Sequence, residues 1–303
     1  MSDAVGQGVA TIDTPALVID LDAMDRNLAT MAAFARERSL RLRPHAKTHK
    51  SAWIAQAQMA HGAVGVCVQK TSEAEALAVA GVHDIFITNE VIDERKLARV
   101  AALARRVTLA IAVDSTLGID RLAAALKHAG STAEVFVEID VGQGRCGASP
   151  SVATVLARAV IERGLRFAGL QAYHGGAQHL RSAVERSAAI ASASQAVREA
   201  LGALSAAGIA CPLVSGAGSG SFILEAESGL WGELQCGSYL FMDRDYADND
   251  ALPGAPRFEH ALFVKSQVMS RAANHAVIDA GHKSHAIDSG LPRVWGRDDL
   301  DFI

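Results

Sequence analysis

Eight short runs rich in β-branched residues alternate with alanine-rich amphipathic segments through this 303-residue chain. The runs are "LRLRPHAK" (40–47), "AVGVCVQ" (63–69), "DIFITNE" (84–90), "TLAIAVD" (108–114), "EVFVEID" (134–140), "FAGLQAYH" (167–174), "CPLVSGA" (211–217) and "ELQCGSYLF" (233–241). Between most of them lie helical patterns such as "TSEAEALAVAG", "DERKLARVAALARR" and "STLGIDRLAAALKHAG". Gly81, Gly130 and Gly208 stand where left-handed helix caps belong. Repeated strand–helix units imply parallel strands, because each right-handed crossover must bury its helix on the sheet. Eight units over roughly 220 residues predict an α/β fold, a closed (β/α)8 TIM-like barrel. An open doubly wound sheet is the alternative.

The pattern changes near residue 250. "DRDYADNDALPGAPRFEH" is rich in turn formers and charge, and the remaining chain reads as strands without helices. An early strand, "ALVIDLD" (16–22), has no place after a barrel helix. The expected organisation is a barrel over residues 23–250 and a partial β-rich domain from residues 1–22 with 251–303.

Composition narrows the partners. Half the residues are hydrophobic, a fifth are charged and the net charge is -4, which argues against nucleic acid or a membrane surface. No apolar run reaches the length of a membrane span, and the first residues lack the pattern of an export signal. Cys67, Cys146, Cys211 and Cys236 form no close pair, so they read as reduced thiols in a cytoplasmic protein.

In such a barrel, chemistry belongs at the carboxyl ends of the strands. That rim would collect His45, Lys47, Arg145, Tyr173, His174, His179 and two glycine-rich turns. Gly142–Gly147 matches G-x-G-x-x-G, but it follows the fifth strand rather than opening a βαβ unit, and no acid stands where a ribose would need one. Tight turning is the simpler reading, with Arg145 aimed at an anionic oxygen. In "SGAGSGSF", Gly216, Gly218 and Gly220 let backbone N–H groups converge, and Ser215, Ser219 and Ser221 add hydroxyls. Gly237 and Ser238, one strand on, could close this phosphate nest. A lysine in a barrel mouth is desolvated, which lowers its pKa and frees a neutral amine for Schiff-base chemistry. With a phosphate nest opposite, pyridoxal 5′-phosphate is the natural aldehyde. Lys47 is nearer the strand end; His49 and Lys50 read as the solvated start of the next helix. His282 and His285 have a helical spacing in a strand-like segment and make a poor metal pair.

The motifs "RPHAKTHK", "QKTSEAEALAVAG", "ITNEV", "VEIDVGQGRCG", "GLQAYHG", "SGAGSGS" and "ELQCGSYLFMD" together resemble, in order, the D-threonine aldolase / D-serine dehydratase-like family. This is a pyridoxal phosphate group of fold type III, related to alanine racemase. The resemblance runs from about Thr14 to the C-terminus and favours the branch that includes 3-hydroxy-D-aspartate aldolase. It implies a (β/α)8 barrel with a β-domain built from both chain ends. It implies cleavage of a D-3-hydroxy amino acid to glycine and an aldehyde, with Lys47 as the Schiff-base lysine and His179 near the reacting hydroxyl. It further implies cofactor contacts from Arg145, Tyr173, Gly218–Gly220 and Gly237–Tyr239, with His45 and Ser215 nearby, and a homodimer. A divalent metal (Mn, Mg or Zn) is expected for the family, but no H-x-D or H-x-C sequence follows residue 260, so no metal ligand is assigned. Family members continue for several dozen residues more, so a truncated chain is expected. A dehydratase and a non-catalytic pyridoxal phosphate carrier are the competing functions.

Overall fold

The structure, a computed structural model, describes residues 5–288 and 290–303. Strands β1 (Ala16–Ile19), β2 (Arg41–Leu42), β3 (Val66–Val68), β4 (Asp84–Ile87), β5 (Thr108–Val113), β6 (Glu134–Glu138), β7 (Arg166–Ala172), β8 (Val214–Gly216) and β9 (Glu233–Leu234) are followed by β10 (Leu262–Lys265), β11 (Val268–Arg271) and β12 (Ala276–Ile278). Helices α1 (Leu21–Glu37), α2 (Ala52–Ala60), α3 (Thr71–Val79), α4 (Glu94–Leu103), α5 (Thr116–Ala129), α6 (Ala153–Glu162), α7 (Ala183–Ala206), α8 (Phe222–Ser228) and α9 (Arg244–Ala247) intervene.

Strands β2 to β9 form one parallel sheet in the order β2-β9-β8-β7-β6-β5-β4-β3. The two ends of that order meet. Val64 N–H donates to Leu42 O at 2.9 Å, Cys67 N–H donates to Pro44 O at 2.8 Å, and His45 bridges Cys67 in parallel. The sheet is therefore the closed barrel expected from the repeats, and the open-sheet alternative falls.

The strands look uniformly apolar because both faces are buried. Alternate residues nevertheless go to different cores. Val66, Val68, Ile85, Ile87, Leu109, Ile111, Val113, Val135 and Val137 pack with Leu97, Val100 and Leu122 of the helices. Cys67, Phe86, Ala110, Ala112 and Phe136 form a separate cluster inside the barrel, where the Phe86 and Phe136 rings lie 4.5 Å apart. The opposite half of the interior is polar. Buried Glu233 accepts from Ser215 Oγ at 2.7 Å, Arg41 Nε at 3.0 Å and Arg43 Nε at 3.1 Å, and Gln171 and Gln235 exchange amide hydrogen bonds.

Side-chain caps start the helices. Ser51, Asp93, Ser115 and Ser182 each accept a backbone N–H of the first turn. The three glycines singled out as caps have positive φ, at 93°, 60° and 69° for Gly81, Gly130 and Gly208. Helix α1 lies before the first barrel strand, yet Met24, Leu28, Met31 and Ala35 make one stripe that packs with Leu42, Phe222 and Leu234. It thus supplies the helix that the β9-to-β2 seam would otherwise lack.

Strand β1 pairs antiparallel with β10, Ala16 opposite Lys265 and Ile19 opposite Leu262, so both parts of the chain outside the barrel strands share a sheet. β11 and β12 form a hairpin. The stretch after Gly281 departs from the expected strands: among the described residues it holds turns and irregular backbone, pinned by Trp295 against His260 and Phe263 at ring distances of 5.3 and 5.2 Å. Its turn formers Gly281, Gly290, Pro292 and Gly296 break the alternation that a strand needs. Ser289 in this tail, and residues 1–4 of the expected β-rich domain, lie outside the described residues. Among the described residues no helix is long and apolar enough to cross a membrane.

Candidate active site

A cleft opens at the carboxyl ends of the barrel strands. Its wall includes His45 and Lys47 after β2, Arg145 after β6, Tyr173 after β7, Gly218 and Ser219 after β8, and Gly237 and Ser238 after β9. Each loop is fixed by its own chemistry.

After β2 the chain turns in a single 3-10 turn, Ala46–Thr48. His45 Nδ1 accepts the Lys47 N–H at 3.3 Å, so the ring proton sits on Nε2, which donates to Thr88 Oγ1 at 3.1 Å. Burial, then the charge of Lys47, pushes the imidazole pKa well down, so this tautomer is neutral. Lys47 is an exposed residue at the mouth of the cleft, whose wall its side chain joins. Its amine pKa is nonetheless lowered, first by desolvation and then by the positive charge of Arg145. The amine lies 5.6 Å from the centre of the Tyr173 ring. Burial pushes the Tyr173 phenol up to about 12.

After β6, Asp140 Oδ1 accepts from the N–H groups of Gly142 and Gly144 at 2.9 and 3.1 Å. Gly142, Gly144 and Gly147 all have positive φ, and a Cβ on Gly147 would stand 2.6 Å from the Asp140 nitrogen. These glycines serve a tight turn that presents Arg145 to the cleft. Gln143 Oε1 accepts the Gly175 N–H at 2.9 Å and ties this turn to the loop after β7.

The glycine–serine loop divides its groups. Gly218 and Ser219 face the cleft. The Gly220 N–H instead donates to Gln178 Oε1 at 2.9 Å, and Gln178 Nε2 donates to Ser221 Oγ at 2.6 Å, which donates to Glu225 at 2.8 Å. Ser215 is wholly buried, its hydroxyl given to Glu233. Tyr239 is buried as well: its N–H donates to Ser219 Oγ at 2.9 Å, and its hydroxyl meets Gln58 Nε2 at 3.4 Å. Ser215, Gly220 and Tyr239 thus stand behind the cleft wall.

His179 stands outside the cleft. Its Nδ1 lies 2.5 Å from Asp245 Oδ2, and its ring is 5.6 Å from that of Tyr246, a cleft residue. His49, expected to be solvated, is half-buried: Ser51 N–H donates to its Nδ1 at 3.0 Å, and burial lowers its pKa to about 4. Lys50 is exposed ahead of α2 with a positive φ of 51°.

The cleft also takes residues that the sequence did not single out: Gln69, Thr88, Gln171, Gln235 and Tyr246. Polar side chains within apolar strands were the available signal for the glutamines and the threonine. Tyr246 carried none, since it reaches the cleft from beyond the last barrel strand. The wall contains Lys47 and Arg145 and no carboxylate, so it suits an anion. It fits a phosphorylated aldehyde in particular. It offers an amine of lowered pKa for the aldehyde, and a wall of Gly218, Ser219, Gly237 and Ser238, small residues with backbone and hydroxyl donors, for the phosphate. The described residues do not fit a divalent metal, since no group of three or more His, Cys, Asp and Glu is placed to hold one.

A parallel barrel with a lysine, an arginine and glycine loops at its mouth defines an alanine racemase-type chain. The family model described as "Alanine racemase, N-terminal domain" matches residues 19–245, and the chain belongs to that family. Among curated relatives it is 44% identical over 307 residues to a 3-hydroxy-D-aspartate aldolase of Paracoccus denitrificans (strain Pd 1222), covering 98% of this chain and 79% of that protein. It is 44% identical over 301 residues to a D-threonine aldolase of an Arthrobacter species, with the same two coverages. The crystal structure of D-threonine aldolase from Filomicrobium marinum superposes with a TM-score of 0.94 at 50% identity, over 96% of this chain and 79% of that one.

Proposed function

We propose that this protein is a pyridoxal 5′-phosphate-dependent lyase that cleaves D-3-hydroxy amino acids, D-threonine or 3-hydroxy-D-aspartate, to glycine and an aldehyde. The reading is carried by the Lys47 amine, held below the usual lysine range in a cationic cleft opposite a glycine–serine wall. Support comes from relatives of 44% identity that carry these two aldolase names.

Bound pyridoxal phosphate would supply an aldehyde for an amine and an electron sink for the carbanion left when the Cα–Cβ bond breaks. The chain's own residues do the rest. Desolvation beside Arg145 leaves more of Lys47 neutral at neutral pH, ready to condense with an aldehyde or take up a proton. Gly218, Ser219, Gly237 and Ser238 line the wall that would hold the phosphate; Gly220, Ser215 and Tyr239 shape that wall from behind. Arg145 and Tyr173 flank the space for the ring, with neutral His45 behind Lys47. His179, tied through Nδ1 to Asp245 and with its ring near that of Tyr246, lies beyond the cleft wall on the side where the substrate hydroxyl would enter, and it is the histidine that the family resemblance sets near that hydroxyl. The same reading includes a homodimer and, in keeping with its unpaired cysteines, a cytoplasmic location.

The purified holoprotein should show a visible absorbance band that survives gel filtration and disappears in Lys47→Ala. A full-strength band in that variant would overturn the assignment of Lys47. With D-threonine, glycine plus acetaldehyde is the expected outcome; a keto acid plus ammonia would instead establish a dehydratase.

A further inference from the structure

Behind Arg145, away from the cleft, lie two acids that the proposed reaction does not use. Glu138 is the last residue of β6 and only 3% exposed. Half-buried Glu90 follows β4, and its carboxyl reaches that of Glu138. Glu138 Oε1 stands 3.7 Å from Arg145 Nη2. The other Glu138 oxygen and both oxygens of Glu90 are buried and meet no N–H or O–H donor; the weak thiol donor of Cys146 is what reaches Glu90. Two ionised carboxylates only accept hydrogen bonds, so a close, buried, doubly ionised pair would be both repelled and unsatisfied. One proton between them turns the contact into a hydrogen bond and leaves a single negative charge.

We propose that Glu138 and Glu90 share one proton and that this carboxyl–carboxylate pair positions Arg145 at the cleft. A doubly ionised pair would draw the guanidinium away from the cleft wall. A fully neutral pair would leave it without a counter-charge. One charge against one charge holds Arg145 while its face stays toward the cleft. The surrounding groups agree. Asp114, just after β5, adds negative charge that favours keeping the proton, and Arg145 opposes it. The Cys146 thiol, beside Glu90, is pushed up to about 11, first by burial and then by Glu90. Across the cleft, Lys47 and His45 both respond to the charge of Arg145, so its position reaches the amine. Burial, then Glu90, raises the pKa of Glu138 well above the ordinary carboxylate range. A group raised on folding stabilises the protein fully below its unfolded pKa. That contribution falls as pH rises and is lost on passing through the folded pKa.

The shared proton stands without any cofactor; what Arg145 then contacts rests on the pyridoxal phosphate reading. The apoprotein is therefore tested first. Infrared spectra at neutral pH should show a protonated-carboxyl component that both Glu138→Gln and Glu90→Gln remove and that Glu225→Gln, which silences the other buried acid of raised pKa, leaves in place. Thermal midpoints of the wild-type apoprotein should fall on the alkaline side, while in Glu138→Gln that fall shifts by more than about one pH unit or vanishes. In the holoprotein, Glu138→Gln cannot ionise but its amide oxygen still accepts from Arg145, so it should retain the visible band and lose the alkaline limb of the kcat profile. Glu138→Ala removes the anchor and should weaken cofactor retention about tenfold, by the scale of lost second-layer partners. A wild-type apoprotein with only carboxylate bands at neutral pH, or the same alkaline profile in Glu138→Gln, overturns the proposal. A protonated-carboxyl component that both Glu138→Gln and Glu90→Gln remove, in a protein that takes up no cofactor, leaves the pair standing and removes the aldolase reading instead.

Discussion

His49 lies two residues beyond Lys47, and position rather than residue type decides what it does. Its ring folds back onto the start of α2 and is held neutral, with a pKa near about 4 caused by burial. His45 is depressed for the same reason. A histidine whose folded pKa lies below its unfolded value near 6.5 favours the fold when neutral. Its contribution is complete above the unfolded pKa and drains away as pH falls toward the folded pKa. Urea titrations from pH 7 to 4 should therefore show a progressive acid loss. In His49→Gln that loss should shrink by on the order of 2 kcal/mol. An unaltered acid slope would mean that the ring is solvated after all. From the sequence this residue read as the solvated start of the next helix, because a short stretch of sequence does not show which side chains a 3-10 turn folds inward.

At the scale of elements, the barrel loops are held by side-chain-to-backbone contacts rather than by length. Asp140 gathers the turn that presents Arg145, Gln143 ties that turn to the loop after β7, and Gln178 ties the next loop to Gly220. Gly237 is a tight approach at the cleft, against the turn that carries Lys47. A Cβ there would lie 2.5 Å from Thr48 Oγ1 and 3.0 Å from the His45 carbonyl oxygen, so Gly237→Ala must push β9 away from the Lys47 turn. The expected cost is about 1–3 kcal/mol of stability, with weaker cofactor retention than in Gly232→Ala, whose Cβ would meet only the Leu213 side chain. Equilibrium unfolding and spectroscopic titration with pyridoxal phosphate check the two parts separately. Strand ends were legible from the sequence, and so were the groups those ends carry to the cleft: His45, Lys47, Arg145 and Tyr173. The split within the glycine–serine loop was not. Whether an N–H faces the cleft or Gln178 depends on a partner 42 residues away in sequence.

At the scale of the molecule, the barrel is joined to the flanking sheet through α1 and the segment before β10. Buried Asn27 is the main polar link. Its Nδ2 donates to Leu240 O at 3.0 Å and Glu259 O at 2.8 Å, and its Oδ1 accepts the Glu259 N–H at 2.8 Å. Asn27→Ala strands these backbone groups and should cost about 2–3 kcal/mol, read as a lower urea midpoint with the slope preserved. A loss below about 0.5 kcal/mol would show that water replaces the amide there. The sequence by itself determined the parallel strand–helix units and the identity of the groups at the strand ends. Strand period, helix period and glycine punctuation are local properties, and eight repeats call for parallel strands buried on both faces; that the sheet closes rather than stays open was decided by the pairing of the β2 and β3 segments. Only the tertiary structure decided three further things: that α1, written before the first barrel strand, covers the last seam; that Tyr246 enters the cleft from outside the barrel; and that Glu90 and Glu138 meet behind Arg145. Each of these depends on the distance between residues far apart in the chain. That distance is set by the packing of the closed barrel, which no single stretch of sequence contains.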